Sequence, residues 1–154
     1  MLMAAFIMAV GILGLTMLQT FSIRSQTSSK SVDLAVQVAQ SILDRAEMLG
    51  RNSLVSARSG VTPPTLNPNY FGTSTITQTY SAAGLPVATG AYFTAVITPT
   101  TVPGAGAVGV VAPIAGMGGV AIVSVTVSWT ESVKGAATTT RNLTLSRRIN
   151  YATS

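Results

Sequence analysis

The chain opens with a long uninterrupted apolar run. From Met1 to Leu18 there is no charged residue and a single hydroxyl, and the apolar character continues through Ile23 to the first charge at Arg24. A helix through the hydrocarbon of a bilayer needs roughly 20 such residues. The run also exceeds the apolar core of a secretory signal and lacks an A-x-A cleavage pattern. We therefore predict a retained single-pass membrane helix over residues 1–24.

A second helical pattern follows directly, and it is amphipathic. Apolar residues recur at steps of three and four on one stripe, while carboxylates and glutamines recur on the opposite side. No Pro or Gly lies between Thr16 and Leu49, so we expect one continuous helix whose second half covers residues 25–50 and stops at Gly50. The stripe consists of Val32, Ala35, Ala39, Ile42, Ala46 and Leu49.

The remainder of the chain, residues 51–154, changes to strand patterns. Four strands are predicted, over 73–80, 91–98, 120–130 and 139–149, with a hairpin loop over 131–137 and a Gly/Pro-rich loop over 99–119. The third strand alternates valine with serine or threonine, so one face is apolar. The residues expected to cover the helical stripe are Val125, Val127, Trp129, Leu143 and Leu145. The predicted fold class is α+β, a long helix packed on an antiparallel sheet.

The composition limits the kinds of catalytic and metal sites that the chain can form. Only 8% of the residues are charged, and there is no cysteine and no histidine. Thiolate chemistry is thereby excluded, and the commonest general base and metal ligand is missing. The glycine pattern at Gly104, Gly106 and Gly109 lacks the preceding strand and following helix of a dinucleotide site. We expect no enzyme activity, no cofactor and no metal site.

The net charge of +5 does not change this interpretation. The nine cationic residues are scattered, and their tightest cluster is the pair Arg147 and Arg148. A nucleic-acid interface requires a basic patch or stripe. We therefore expect no nucleic-acid partner.

Two segments resemble a known family. The stretch Gly11-Ile12-Leu13-Gly14-Leu15, followed by Gln19, is similar to the N-terminal helix of type IV pilin-like proteins, and most similar to minor pilins of the pilus-modification type. Val125-Thr126-Val127-Ser128-Trp129-Thr130, a loop and Arg141-Asn142-Leu143-Thr144-Leu145 resemble the end of the same group. The family also carries a glutamate near the start of its helix, and no acidic residue precedes Asp33 here, so processing is assigned to no residue.

The resemblance implies a pilin-like fold and a structural role. The expected function is a type IV pilus subunit, a minor pilin in filament assembly or surface properties. It would reside in the bacterial inner membrane and then in an extracellular filament. Its partners would be other pilin subunits, inner-membrane lipid and the assembly machinery. The implied filament-core contacts are Leu2, Phe6, Ile7, Val10, Leu13, Leu15 and Leu18.

Two other functions share this pattern. A pseudopilin of a type II secretion system has the same architecture and builds a short periplasmic assembly. An anchored adhesin or binding module would use the loop over 99–119 to contact a ligand.

Overall fold

A computed structural model of the protein describes residues 2–62, 66–72, 74–102, 118–132 and 138–152. The elements are helix α1 (Leu2–Arg58), the short helix α2 (Pro68–Phe71) and strands β1 (Ile76–Tyr80), β2 (Phe93–Val102), β3 (Gly118–Ser132) and β4 (Thr138–Ala152). The strands form one antiparallel sheet in the order β1-β2-β3-β4. The predicted α+β class, a helix packed on an antiparallel sheet, is therefore confirmed.

The chain divides into two compact units, Met1–Asp33 and Leu34–Ser154. The second unit contains both the amphipathic part of α1 and the whole sheet. Its core joins one stripe of α1 to one face of the sheet, and small side chains dominate the helical side. On α1 the buried residues of this core are Ala35, Val38, Ala39, Ile42, Leu43 and Ala46, with Leu49 partly buried against them.

Strand alternation supplies the other half of the core. Val123, Val125, Val127 and Trp129 of β3 are buried, whereas the intervening Ser124, Thr126 and Ser128 lie on the opposite face. The register pairs Val125 with Leu145 and Val127 with Leu143, and both leucines are partly buried against the core. Phe93, Ala95 and Ile97 of β2 extend the same apolar face.

Helix α1 does not end where the sequence pattern predicted. It passes through Gly50 and continues to Arg58. A Cβ placed on Gly50 would lie 2.7 Å from the carbonyl oxygen of Asn150 and 2.7 Å from the Ile149 side chain. This glycine is therefore required by the close approach of α1 to β4, and its usual role as a helix terminator does not apply.

The extra turns of α1 bring a buried polar residue to the end of β4. The Ser53 hydroxyl donates to the Gly50 carbonyl oxygen at 2.7 Å and accepts the backbone N–H of Ala152 at 3.0 Å. Ser53 is fully buried and its hydroxyl is satisfied in both directions. This contact fixes the helix on the strand at one point.

Two further sequence predictions need correction. Val32 was expected to pack on the sheet, but its side chain is 39% exposed, and the buried stripe starts at Ala35. The predicted loop over 99–119 is shorter, because Pro99–Val102 belong to β2 and Gly118–Gly119 to β3. Its central part, residues 103–117, lies outside the described residues, as do residues 133–137 of the predicted hairpin loop.

The predicted single-pass membrane helix is also wrong. Within the part of the chain that the structure describes, no helix is both long and apolar enough to cross a bilayer. The predicted localisation, inner membrane and then cell surface, depended on that helix and is corrected with it.

Gly50 provides a direct test of the helix–sheet contact. Substitution Gly50→Ala forces α1 away from Asn150 and Ile149, and we expect the free energy of unfolding to fall by about 1–3 kcal/mol. Gly14→Ala is the control, because no other atom lies within 4 Å of the added methyl group. Urea unfolding followed by the fluorescence of buried Trp129 measures both variants. Equal stability of Gly50→Ala and the unmodified chain would contradict the contact.

Two buried tyrosines, Tyr80 and Tyr151, are expected to make the folded state less stable at alkaline pH. Burial raises the pKa of Tyr80 above its usual value, with Tyr70 adding to the shift and Arg45 opposing it, and burial alone raises the pKa of Tyr151. The folded state therefore favours the neutral phenols. Their contribution is complete below about pH 10 and is lost as the pH rises through the folded-state pKa values.

The expected result is a steeper alkaline loss of stability in the unmodified chain than in the double variant Tyr80→Phe, Tyr151→Phe. Chemical unfolding at a series of pH values from 8 to 12 measures it. Tyr92→Phe, at a ring that is 38% exposed, is the matched control and should keep the steep profile. Identical pH profiles for the double variant and the unmodified chain would refute this account.

Candidate assembly surface

The first unit carries an apolar surface that no described side chain of that unit covers. Its large apolar side chains between Met8 and Ile23 are 57–75% exposed. At 100° per residue these positions point in every direction around the helix. They are Met8, Val10, Ile12, Leu13, Leu15, Met17, Leu18, Phe21 and Ile23. A helix that is apolar all round is a helix that is buried when it functions.

The predicted filament-core residues fall on this surface to different extents. Val10, Leu13, Leu15 and Leu18 are among its exposed side chains. Leu2, Phe6 and Ile7 belong to α1, but their side chains lie outside the described part of the structure. The predicted set did not include five side chains of this surface, although all of them lie in the same apolar run of the sequence: Met8, Ile12, Met17, Phe21 and Ile23.

The threonine hydroxyl groups of this part of α1 donate to carbonyl oxygens of the same helix. Thr16 donates to the carbonyl oxygens of Ile12 and Leu13, and Thr20 donates to that of Thr16 at 2.6 Å. Thr27 repeats the pattern with the Ile23 carbonyl oxygen at 2.9 Å. Burial of these threonines against another helix would leave no hydroxyl donor unpaired, so it would carry a small polar penalty.

Gln19 is the exception in the stretch from Met8 to Phe21. Its exposed amide makes no hydrogen bond to any described residue. In an apolar assembly an amide needs a partner on a neighbouring helix, and such pairs strengthen helix association.

Charged residues gather at a second place, on the surface of the second unit where α1 meets β4. Arg147 lies on the helix-facing side of β4 and donates to Asp44 Oδ1 at 2.6 Å and Glu47 Oε2 at 2.8 Å. Glu47 also pairs with Arg51 one turn further along α1. The hydrogen bond with Asp44 raises the pKa of Arg147 above its usual value. This cluster orients α1 on the sheet by charge, as Ser53 does by hydrogen bonding.

An open groove of about 310 Å³ runs along α1 beside this cluster. It is lined by Asp44, Glu47, Met48, Arg51 and Asn52. Asp44 is its most accessible carboxylate, with a side chain that is 66% exposed. Among the residues that the structure describes, no three potential metal ligands come together. Both carboxylates of the groove are paired with arginines, Asp44 with Arg147 and Glu47 with Arg147 and Arg51.

Comparisons with known proteins add no family assignment. The chain matches no protein-family model, no curated protein and no solved structure.

Proposed function

We propose that the protein is the structural subunit of a filament of the type IV pilin-like kind, in which the amino-terminal part of α1 packs among the equivalent helices of other subunits. The observation that carries this proposal is the apolar surface from Met8 to Ile23, exposed on all sides of the helix. A single neighbouring helix would cover only one side of such a surface. Several neighbouring helices are needed to cover the whole circumference, as in the core of a polymer.

The energetics support association. Burial of one Val or Leu side chain contributes about 1.5–3 kcal/mol, and nine such large side chains are available in the described part of this segment. The internally bonded threonines reduce the opposing polar term. The second unit keeps its own core, so assembly through the helix requires no rearrangement of the sheet.

The resemblance to pilin-like proteins agrees with this interpretation in general outline. It implies an N-terminal helix joined to an antiparallel sheet, and the chain has that arrangement. Minor-pilin status and the expected partners, other pilin subunits and the assembly machinery, remain part of the proposal. The physical argument for polymer packing stands on the exposed side chains alone.

Val10→Asp and Leu13→Asp test the packing role. A carboxylate within the helix contacts loses the apolar burial and adds a desolvation penalty, so we expect at least a roughly 100-fold rise in the concentration needed for polymerisation. Sedimentation and electron microscopy of the purified full-length chain measure assembly. Trp129 fluorescence and thermal unfolding check that the sheet is intact.

Val55→Asp is the matched control, because Val55 lies on the same helix and is 67% exposed, but belongs to the second unit. It should assemble as the unmodified chain does. Normal polymers from Val10→Asp and Leu13→Asp, or an unmodified chain that never self-associates, would overturn the proposal.

A further inference from the structure

A short polar stripe crosses the apolar surface of the first unit. Thr16, Gln19 and Thr20 follow one another at steps of three and four residues from Thr16, which places them on one side of the helix. All three residues are exposed. When neighbouring helices cover the surface from Met8 to Ile23, this stripe is covered with it, and its polar groups then need partners.

The two threonines of the stripe can only accept further hydrogen bonds. A hydroxyl group carries one hydrogen, and that of Thr16 is shared between the carbonyl oxygens of Ile12 and Leu13, at 3.1 and 2.9 Å. The Thr20 hydroxyl donates its hydrogen to the Thr16 carbonyl oxygen at 2.6 Å. Both hydroxyl oxygens keep lone pairs that can accept a hydrogen bond from another molecule.

Gln19 supplies the donor that these oxygens lack. Its side-chain amide carries two N–H hydrogens, and it makes no hydrogen bond to any described residue. It is also the first amide side chain of the sequence, in a run that is otherwise apolar apart from its hydroxyl groups. Every copy of the chain therefore carries an unused donor and unused acceptors on the same stripe, so two copies can complement each other.

We propose that Gln19 fixes the register of the packed helices by donating a side-chain N–H to the Thr16 hydroxyl oxygen of a neighbouring copy. This inference rests on the proposed function, because it concerns the same helical assembly. A polar residue within an apolar helix contact selects one register at some cost in stability. The reason is that every other register buries the amide without a partner.

Thr16 is the acceptor that most needs a partner in the assembly. Apolar side chains flank it directly on both sides in the sequence, so its oxygen loses water completely when the helix is covered. Thr20 and Ser22 lie within four residues of Arg24, close to the charged end of the segment. Water can still reach their hydroxyl oxygens there.

The pair joins different residues of the two copies, which suits a polymer. A contact of Gln19 with its own equivalent requires two copies at the same height, whereas a repeated step with a rise along the filament places equivalent residues at different heights. A donor on one copy and an acceptor on the next form a head-to-tail contact, the kind that generates open filaments. Between parallel helices, the three residues from Thr16 to Gln19 correspond to a shift of about 4.5 Å.

A double-mutant cycle tests the pair. Thr16→Val keeps the shape of the side chain and removes the acceptor, so the Gln19 amide is buried without its partner, and we expect the critical concentration for polymerisation to rise roughly tenfold. In a Gln19→Leu background the same Thr16→Val change should have little effect, since no donor is left to satisfy. Sedimentation of the four full-length chains measures the critical concentrations, and Trp129 fluorescence checks the fold of the second unit.

Thr20→Val is the matched control, because it removes a similar hydroxyl next to Gln19 whose hydrogen is also bonded within the helix. It should leave the critical concentration unchanged in both backgrounds. Gln19→Leu alone should still polymerise, but with mixed registers. Electron-microscope diffraction from its polymers should then lack the single axial repeat of the unmodified chain.

The outcomes separate this pair from the filament itself. An equal effect of Thr16→Val in the two backgrounds, or a Thr20→Val effect as large as that of Thr16→Val, would overturn the inference and leave the filament proposal standing. Gln19→Leu polymers with the same single repeat as the unmodified chain would also overturn it. An unmodified chain that does not polymerise would refute the filament proposal and the pair together.

Discussion

The close approach of α1 to the sheet is the constraint on which the rest of the structure depends. Fully buried Ala35, Ala39 and Ala46 form a shallow stripe, and Gly50 carries no side chain where Asn150 and Ile149 come nearest. Small residues permit this short separation, and the valines of β3 fill the space left beside them. Ser53 then supplies the missing partner of the Ala152 N–H. A larger side chain at any of these helical positions would separate the two layers.

The scarcity of charge gives the two units different surfaces. From Met8 to Ile23 the first unit exposes large apolar side chains, and Thr16 and Thr20 in this stretch bond to their own helix. The second unit exposes hydroxyl groups on the outer sheet face, where Thr126 and Thr144 bond to each other. One cluster of charges, formed by Asp44, Glu47 and Arg147, lies where helix and sheet meet. In this cluster, charge contributes to the orientation of α1 on the sheet.

The amino-acid pattern by itself determined the elements and their faces. Alternation in β3 defined which residues of the sheet are buried, and steps of three and four placed Ala35, Ala39, Ile42 and Ala46 on one stripe, because both patterns are properties of local geometry.

Tertiary structure alone decided what depends on contacts between distant residues. Gly50 and Ser53 acquire their roles from β4, about 100 positions away, and nothing in their local sequence indicates it. The partnership of Arg147 with Asp44 and Glu47 and the cover of the β1 edge by Pro86 are equally products of packing. Local periodicity indicates which side of a helix or strand is apolar. The distance between two elements is set by the side chains that meet in the contact between them.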